Sequence, residues 1–335
     1  MKMLSTLVAL LLVNEAAFGD AHSTLNAESA IATKAVLEDR YPERRVTFPG
    51  GVTGLPDLVY STVTGFRPLT LDLYVPANPI NGGAPVIIYV HGGGWMSGHT
   101  RHSGAFENWP GVLASLAGKG YVVASLNYRL SSEAPSSAAE QDIKSAVRWL
   151  RGNAARFGID KRRIGIWGGS AGGQLAALAG TSCGVSALEP PQIADAKAPL
   201  ESDCVQAVVT WYGIFDFTPL AKNTAAPPPV ARYLGCDPNA CPDDRIALAS
   251  AIRHIDRNDP PFLLIHGALD KTVAVSQSEK FHAALQASAV KSQLLVLPDV
   301  DHSFVGSTPE LTREASLRAL HATIDFFDAT LRASH

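Results

Sequence analysis

Residues 163–174, Arg-Ile-Gly-Ile-Trp-Gly-Gly-Ser-Ala-Gly-Gly-Gln, place a serine at the tip of a glycine-rich turn. The apolar run 164–167 before the turn predicts a buried strand, and Leu-Ala-Ala-Leu-Ala at 175–179 predicts a helix after it. Glycines two residues before and two after Ser170 allow a tight turn that presents the hydroxyl above the edge of a sheet. Free N–H groups at the start of the helix would face any negative charge formed there. The stretch predicts a nucleophilic serine, although Gly-x-Ser-x-Gly alone also fits a purely structural turn.

The composition indicates a globular protein. The chain has 335 residues, of which 46% are hydrophobic and 18% charged, and its net charge is −3. This size suits one large domain or two small ones. Because the sequence contains no basic cluster, we expect no nucleic-acid partner.

The N-terminus predicts export. A positive start at Met1-Lys2-Met3 is followed by an apolar run at 4–13 and by small residues, which is the pattern of a signal peptide. We therefore expect a signal peptide over 1–21, a single catalytic domain over 22–335, and a secreted or periplasmic protein. The apolar run is too short to span a bilayer and no later run reaches that length, so we expect no membrane span. Oligomeric state stays open.

Four cysteines follow, at positions 183, 204, 236 and 241. An even number of cysteines in an exported chain favours disulfides. Proximity in sequence predicts the pairs Cys183–Cys204 and Cys236–Cys241. The alternative is a zinc site, but no Cys-x-x-Cys and no flanking histidine supports it.

Alternating strands and helices predict an α/β fold with a mostly parallel eight-stranded sheet and helices on both faces. The first two strands are expected to form an antiparallel hairpin at one edge. Residues 181–204 and 213–258 interrupt the alternation and predict loops or a minimal lid. The predicted strands are 57–62, 69–75, 85–90, 121–126, 164–167, 205–211, 261–266 and 293–297, and the predicted helices include 141–157, 276–285 and 311–331.

A second glycine-rich loop follows the third predicted strand, in His91-Gly92-Gly93-Gly94-Trp95. Glycines after a buried strand free backbone N–H groups to point into a site, as an oxyanion hole requires. We expect Gly93 and Gly94 to supply two donors and Ala171, directly after the serine, to supply the third. Trp95 is expected to pack beneath this loop.

A serine nucleophile needs a histidine base and a carboxylate that orients the histidine. Asp270 follows the strand 261–266, and His302 follows the last strand, so both are expected at the carboxyl edge of the sheet beside Ser170. The order Ser170, Asp270, His302 is the order found in α/β-hydrolases.

Each partner of the serine has a rival. Asp216 lies at the same edge and could be the acid, but we interpret it as a residue that fixes its loop. His266 ends its strand and is interpreted as structural. Asp301 adjoins His302 and is expected to cap its own loop rather than contact the imidazole.

Together these motifs resemble the α/β-hydrolase esterases, over nearly all of the chain that follows the predicted signal peptide. The glycine loop and serine turn are similar to those of hormone-sensitive-lipase-like esterases, with Gly169 in place of an aspartate common there. The N-terminal hairpin and the acid segment resemble bacterial feruloyl and acetyl esterases instead. The motifs that carry the resemblance are His91–Trp95, Asn127–Pro135, Gly168–Gly173, Thr70–Pro76 and His266–Asp270.

The resemblance implies hydrolysis of short-chain acyl or aryl esters, either small molecules or esters on a polysaccharide, through an acyl-enzyme. It implies no metal and no organic cofactor. An amide hydrolase of the arylformamidase type is an alternative, since those enzymes share the glycine loop and the triad order. A catalytically inactive binding protein is another alternative.

Overall fold

A computed structural model describes residues 44–190, 200–221, 228–237 and 240–332. The predicted signal peptide 1–21, and residues 22–43 of the predicted catalytic domain, lie outside this part of the chain. Within it, nine strands form one sheet. They are β1 (Val46–Thr47), β2 (Thr53–Ser61), β3 (Leu69–Val75), β4 (Ala84–Val90), β5 (Val122–Leu126), β6 (Ile159–Gly169), β7 (Ala207–Trp211), β8 (Phe262–Gly267) and β9 (Ser292–Leu297).

The strands follow the order β1-β2-β3-β5-β4-β6-β7-β8-β9 across the sheet. The six strands from β5 to β9 in this order are parallel, whereas β1, β2 and β3 pair antiparallel at one edge. The carboxyl ends of β4, β6, β7, β8 and β9 therefore lie on the same side of the sheet. The loops that carry the predicted site residues begin there.

Helices cover both faces of the sheet, because alternate strand residues point to opposite sides. Val86, Ile88 and Val90 of β4 belong to one core cluster, and Ile87 and Tyr89 belong to the other. The helices are α1 (Trp109–Gly118), α2 (Ala138–Gly152), α3 (Ala154–Phe157), α4 (Ala171–Thr181), α5 (Thr218–Ala221), α6 (Pro228–Leu234), α7 (Asp243–Ala249), α8 (Ser276–Ala287) and α9 (Pro309–Leu331). Core residues of α2, α4 and α8 lie with the first cluster, and those of α1 and α9 lie with the second.

The predicted mostly parallel sheet with helices on both faces and an N-terminal antiparallel hairpin is confirmed, but the predicted number of eight strands is wrong. The ninth strand, β1, consists of two residues that are both exposed, so the sequence has no apolar pattern that would predict it. The serine-bearing strand also begins five residues before its predicted start at Ile164. Its first half includes the exposed Lys161 and Arg162, so this part of the strand has no apolar run that would predict it.

Both predicted disulfides are present, Cys183–Cys204 and Cys236–Cys241. Residues next to the two cysteines of the first disulfide are also held by buried charges. The ammonium of Lys144 on α2, 2% exposed, pairs with the Asp203 carboxylate, 6% exposed, and donates to the carbonyl of Ser182. Arg148 lies 3.0 Å from the same carboxylate.

The second predicted interruption, 213–258, contains the short helices α5, α6 and α7. Residues 191–199, 222–227 and 238–239 lie outside the described ranges. Across the ranges described above, no helix is both long enough and apolar enough to cross a membrane.

Candidate active site

Ser170 lies at the sharp turn between β6 and α4. Its φ of +56° and ψ of −121° are unusual for a residue with a side chain, and such strain is typical of a serine held outward from a sheet edge. The turn needs a glycine at position 172 because the backbone of Val90 and His91 lies close to it. A Cβ at Gly172 would lie 2.1 Å from the Val90 carbonyl oxygen.

His302 reaches the serine from the loop after β9. Its Nε2 lies 3.0 Å from Ser170 Oγ, and its Nδ1 lies 2.7 Å from Asp270 Oδ2. The carboxylate can only accept, so Nδ1 carries the proton and Nε2 is free to accept from the serine hydroxyl. The structure thus brings the three predicted residues into one hydrogen-bonded chain.

The Asp270 side chain is fully buried, whereas that of His302 is 19% exposed. Oδ1 accepts from the backbone N–H groups of Thr272 and Val273, at 2.9 and 2.8 Å. Burial raises the pKa of Asp270, but hydrogen bonds from His266, His302 and Val273 lower it by more. The pKa of Asp270 is therefore held well below its usual range, and the group stays an anion.

The glycine loop after β4 lies beside Ser170. Gly93 and Gly94 have φ of +109° and +60°, values that glycine adopts without strain. Among the described residues, no group accepts a hydrogen bond from the backbone N–H of Gly93 or Gly94. The N–H of Ala171 is also free of helical bonding, because Ala171 is the first residue of α4. All three predicted oxyanion donors are thus unpaired, and Gly93 and Gly94 line the cleft beside Ser170.

Trp95 is buried and connects the glycine loop to two helices. Its Nε1 donates to Oε1 of Gln174 on α4, at 2.9 Å. Gln174 Nε2 donates to the hydroxyl of Tyr233 on α6, at 3.1 Å, and the Tyr233 ring stacks on Trp95 with centroids 4.3 Å apart. Tyr233 donates in turn to buried Glu140 of α2, and burial raises the pKa of Glu140. Motif inspection did not find this connection, because its members are far apart in sequence.

A cleft of about 710 Å³ opens above these residues. Its walls include Gly92–Trp95 and Ser170, together with apolar side chains from several loops and from α6. Tyr212 also lines it, with its ring centroid 4.7 Å from that of His302. The apolar lining comes from Ile214, Pro229, Val230, Val273 and Val305.

The rival residues occupy other positions. Asp216 Oδ1 accepts from the N–H of Thr218, at 2.9 Å, and so fixes its own loop. Asp301 Oδ1 accepts from the N–H groups of His302 and Lys271, as expected of a loop cap. His266 is buried, but sequence reasoning missed that its Nε2 lies 3.2 Å from Asp270 Oδ2.

Comparison with known proteins finds esterases among the similar sequences. A family model described as BD-FAE matches residues 71–285. Esterase LipC of Mycobacterium tuberculosis is 36% identical over 231 residues, which cover 66% of this chain and 53% of that protein. The chain spans about half the length of the curated relatives it matches.

Solved structures with this fold include esterases. A truncated form of a carbohydrate esterase from gut microbiota has a TM-score of 0.65 and 26% identity, covering 82% of this chain and 95% of that one. The propionate-bound esterase Est2 of Thermogutta terrifontis has a TM-score of 0.65 and 26% identity, covering 82% of this chain and 93% of that one.

Proposed function

Because the chain belongs to the BD-FAE family of α/β-hydrolase esterases, we propose that it is a serine carboxylic-ester hydrolase that acts through an acyl-enzyme. The observation that carries this proposal is the unbroken chain of hydrogen bonds from Ser170 Oγ through His302 to Asp270 Oδ2. A serine hydroxyl is a weak nucleophile unless a base accepts its proton. Here a base with a free Nε2 lies within hydrogen-bond distance.

In the first half of the reaction, Ser170 Oγ bonds to the ester carbonyl carbon as its proton passes to His302 Nε2. The carbonyl oxygen gains the negative charge, and the N–H groups of Gly93, Gly94 and Ala171 stabilise it. The bond to the alcohol oxygen then breaks, and that oxygen takes the proton from His302. In the second half, water gives a proton to His302 Nε2 as its oxygen bonds to the acyl carbon. The bond between that carbon and Ser170 Oγ then breaks, Oγ takes the proton from His302, and the acid is released. Asp270 stabilises the imidazolium in both halves.

We propose short acyl groups, acetyl to butyryl, as the preferred acids, with small aryl acids of the feruloyl type also accepted. The support is the cleft, where α6 closes one side of the glycine loop. A Cβ placed on Gly94 would lie 3.4 Å from Pro229. Each methylene left outside a short pocket forfeits about 0.8 kcal/mol of binding. The propionate in the Est2 structure is consistent with an acid of this size.

We also propose export, with a signal peptide over 1–21 and one catalytic domain over 22–335. The two disulfides support this proposal, since disulfides persist in oxidising compartments. The substrate is then an ester outside the cytoplasm, either free or attached to a polysaccharide.

The test is hydrolysis of p-nitrophenyl esters by the purified protein and two serine variants. Ser170→Ala is expected to lower kcat by at least about 10³-fold with an unchanged Tm. Ser115→Ala is the matched control, because that hydroxyl bonds the Val112 carbonyl within α1, and it is expected to retain activity. Near-normal turnover by Ser170→Ala would refute the nucleophile.

An acyl series on the same protein tests the substrate class. We expect kcat/KM to be highest for acetyl to butyryl esters and to fall steeply by octanoyl. A preference for decanoyl or longer esters would refute the short pocket without affecting the assignment of Ser170.

A further inference from the structure

His266 is a buried histidine that the reaction steps above do not use. It is near the end of β8, and its side chain is completely inaccessible to solvent. Both ring nitrogens have partners. Nδ1 lies 2.7 Å from Oγ of Ser278, a buried residue in the first turn of α8, and Nε2 lies 2.9 Å from the Val273 carbonyl oxygen and 3.2 Å from Asp270 Oδ2.

These partners determine where the proton of His266 lies. A carbonyl oxygen and an ionised carboxylate only accept, so Nε2 must carry a proton, which it donates to the Val273 carbonyl oxygen with the Asp270 carboxylate beside it. With the proton on Nε2, the neutral ring presents Nδ1 as an acceptor, and the Ser278 hydroxyl donates to it. The acceptors at Nε2 thus fix the tautomer of His266, and the Ser278 hydroxyl at Nδ1 helps to fix the plane of the ring.

Two imidazoles therefore face Oδ2 of Asp270: Nδ1 of His302 donates to it at 2.7 Å, and the protonated Nε2 of His266 lies 3.2 Å from it. Without His266, His302 would be the one described residue that contacts this oxygen, and His302 is the group that the oxygen has to orient. We infer that His266, fixed by Ser278, is a positioning residue that holds Oδ2 of Asp270 in line with His302. This inference rests on the proposed function, because it gives the pair a role in ester hydrolysis.

Removing His266 also has an electrostatic consequence. The N–H of His266 withdraws negative charge from Oδ2, so its loss leaves more charge facing His302. A more negative Oδ2 stabilises the imidazolium form of His302, which then loses its proton only at higher pH. The Asp270 carboxylate, with one donor fewer, is itself easier to protonate. Both effects move the acid limb of the kcat/KM profile to higher pH.

The other titratable groups near Asp270 and His302 are not among the hydrogen-bond or ion-pair partners of His266 in the described part of the chain. Asp301 and Lys271 lie in the adjoining loops, with the ammonium 3.6 Å from the Asp301 carboxylate. Tyr212 packs its ring against His302, and burial raises the pKa of its hydroxyl. A shift of the acid limb on substituting His266 therefore reports the lost donor.

The experiment compares kcat, KM and the pH profile for His266→Leu, His266→Gln and Ser278→Ala on p-nitrophenyl acetate. His266→Leu is expected to lower kcat by about 10- to 100-fold, the range for losing one hydrogen bond to a charged group, with KM nearly unchanged. Its acid limb should move to higher pH. His266→Gln should recover most of the loss, because the glutamine amide places an N–H donor near the position of Nε2. Ser278→Ala should move kcat and the acid limb in the same direction as His266→Leu, by a smaller amount.

The chain offers a matched control in a second histidine–serine pair. His282 Nδ1 on α8 lies 2.9 Å from Ser292 Oγ on β9, so His282→Leu should leave kcat and the acid limb unchanged. The His302 Nδ1–H resonance in NMR spectra gives a readout that needs no turnover, and it should move in His266→Leu but not in His282→Leu.

Unchanged kcat, acid limb and Nδ1–H resonance in a folded His266→Leu protein would overturn the inference. Failure of His266→Gln to recover activity would also overturn it, because the loss would then come from packing. If His266→Leu does not fold, an unaltered pH profile in Ser278→Ala overturns it. Absence of hydrolysis by the wild-type protein would refute the proposed function instead, while the Nδ1–H resonance would still test the contact.

Discussion

Asp270→Asn tests the acid of the triad with almost no change in side-chain shape. An asparagine at this position has one oxygen and one NH₂ group. Oδ1 of Asp270 accepts from two backbone N–H groups, so the amide oxygen has to take that place. The NH₂ group is then forced into the position of Oδ2, where it faces ring nitrogens of both His302 and His266.

This arrangement fixes the size of the effect. A donor opposite His302 Nδ1 makes that nitrogen an acceptor, which moves the ring proton to Nε2, where it blocks transfer from Ser170. Losing the correct tautomer in a serine triad lowers kcat by about 10⁴-fold, which corresponds to about 5.4 kcal/mol of transition-state stabilisation. We expect a loss of that order for Asp270→Asn.

The assay is p-nitrophenyl acetate hydrolysis near neutral pH, with Asp216→Asn as the matched control. Asp216 caps the backbone of Thr218, and asparagine caps as well as aspartate, so the control should keep its activity within about threefold. Activity of folded Asp270→Asn within tenfold of the wild type would refute the assignment of the acid. A greater loss in Asp216→Asn would point to the rival carboxylate.

Two further predictions concern stability. The pKa of Asp270 is lower in the folded protein than in the unfolded chain, where it is about 3.9. The ionised Asp270 therefore adds to the free energy of unfolding in full above about pH 3.9, and this contribution is lost as the pH falls below that value. The decrease in Tm between about pH 5 and about pH 2.5 should therefore be smaller for Asp270→Asn than for the wild type, and an equal decrease would contradict the lowered pKa. Lys144→Met leaves the buried Asp203 carboxylate with Arg148 as its remaining ion-pair partner among the described residues, and urea unfolding should show a loss of about 3 kcal/mol. The exposed Lys161–Glu201 pair provides the control, since Lys161→Met should cost less than about 1 kcal/mol; similar losses in both variants would contradict the role of burial.

The sequence predicts this fold well where strands are apolar and bounded by turns. Residues 69–75 form a strand with the predicted bounds, because alternate leucines there pack into the core. The predicted helix 141–157 is less accurate. The structure divides that region at Asn153 into α2 and α3. The break could not be predicted from the apolar stripe, because the stripe continues through both helices.

The site was predictable for a different reason. Parallel strands place the residues after their carboxyl ends at one edge, so the order of motifs predicts that Ser170, Asp270 and His302 meet. The contact between His266 and Asp270 could not be predicted in this way. It depends on how residues 267–273 turn back to bring the Val273 carbonyl and the carboxylate against the ring, and neither composition nor periodicity encodes the course of a short loop.

The link from Trp95 through Gln174 to Tyr233 has a consequence for how the specificity of this fold can change. One end of α6 is tied to the glycine loop through Tyr233, while the other end carries Pro229 and Val230 into the cleft. The same short helix therefore has one end that is bonded toward the glycine loop and another that lines the cleft. Substitutions at the end that lines the cleft are expected to widen or narrow it, while Tyr233 keeps its contact with Trp95. An engineer seeking longer acyl groups would diversify positions 229 and 230 and leave 233 untouched.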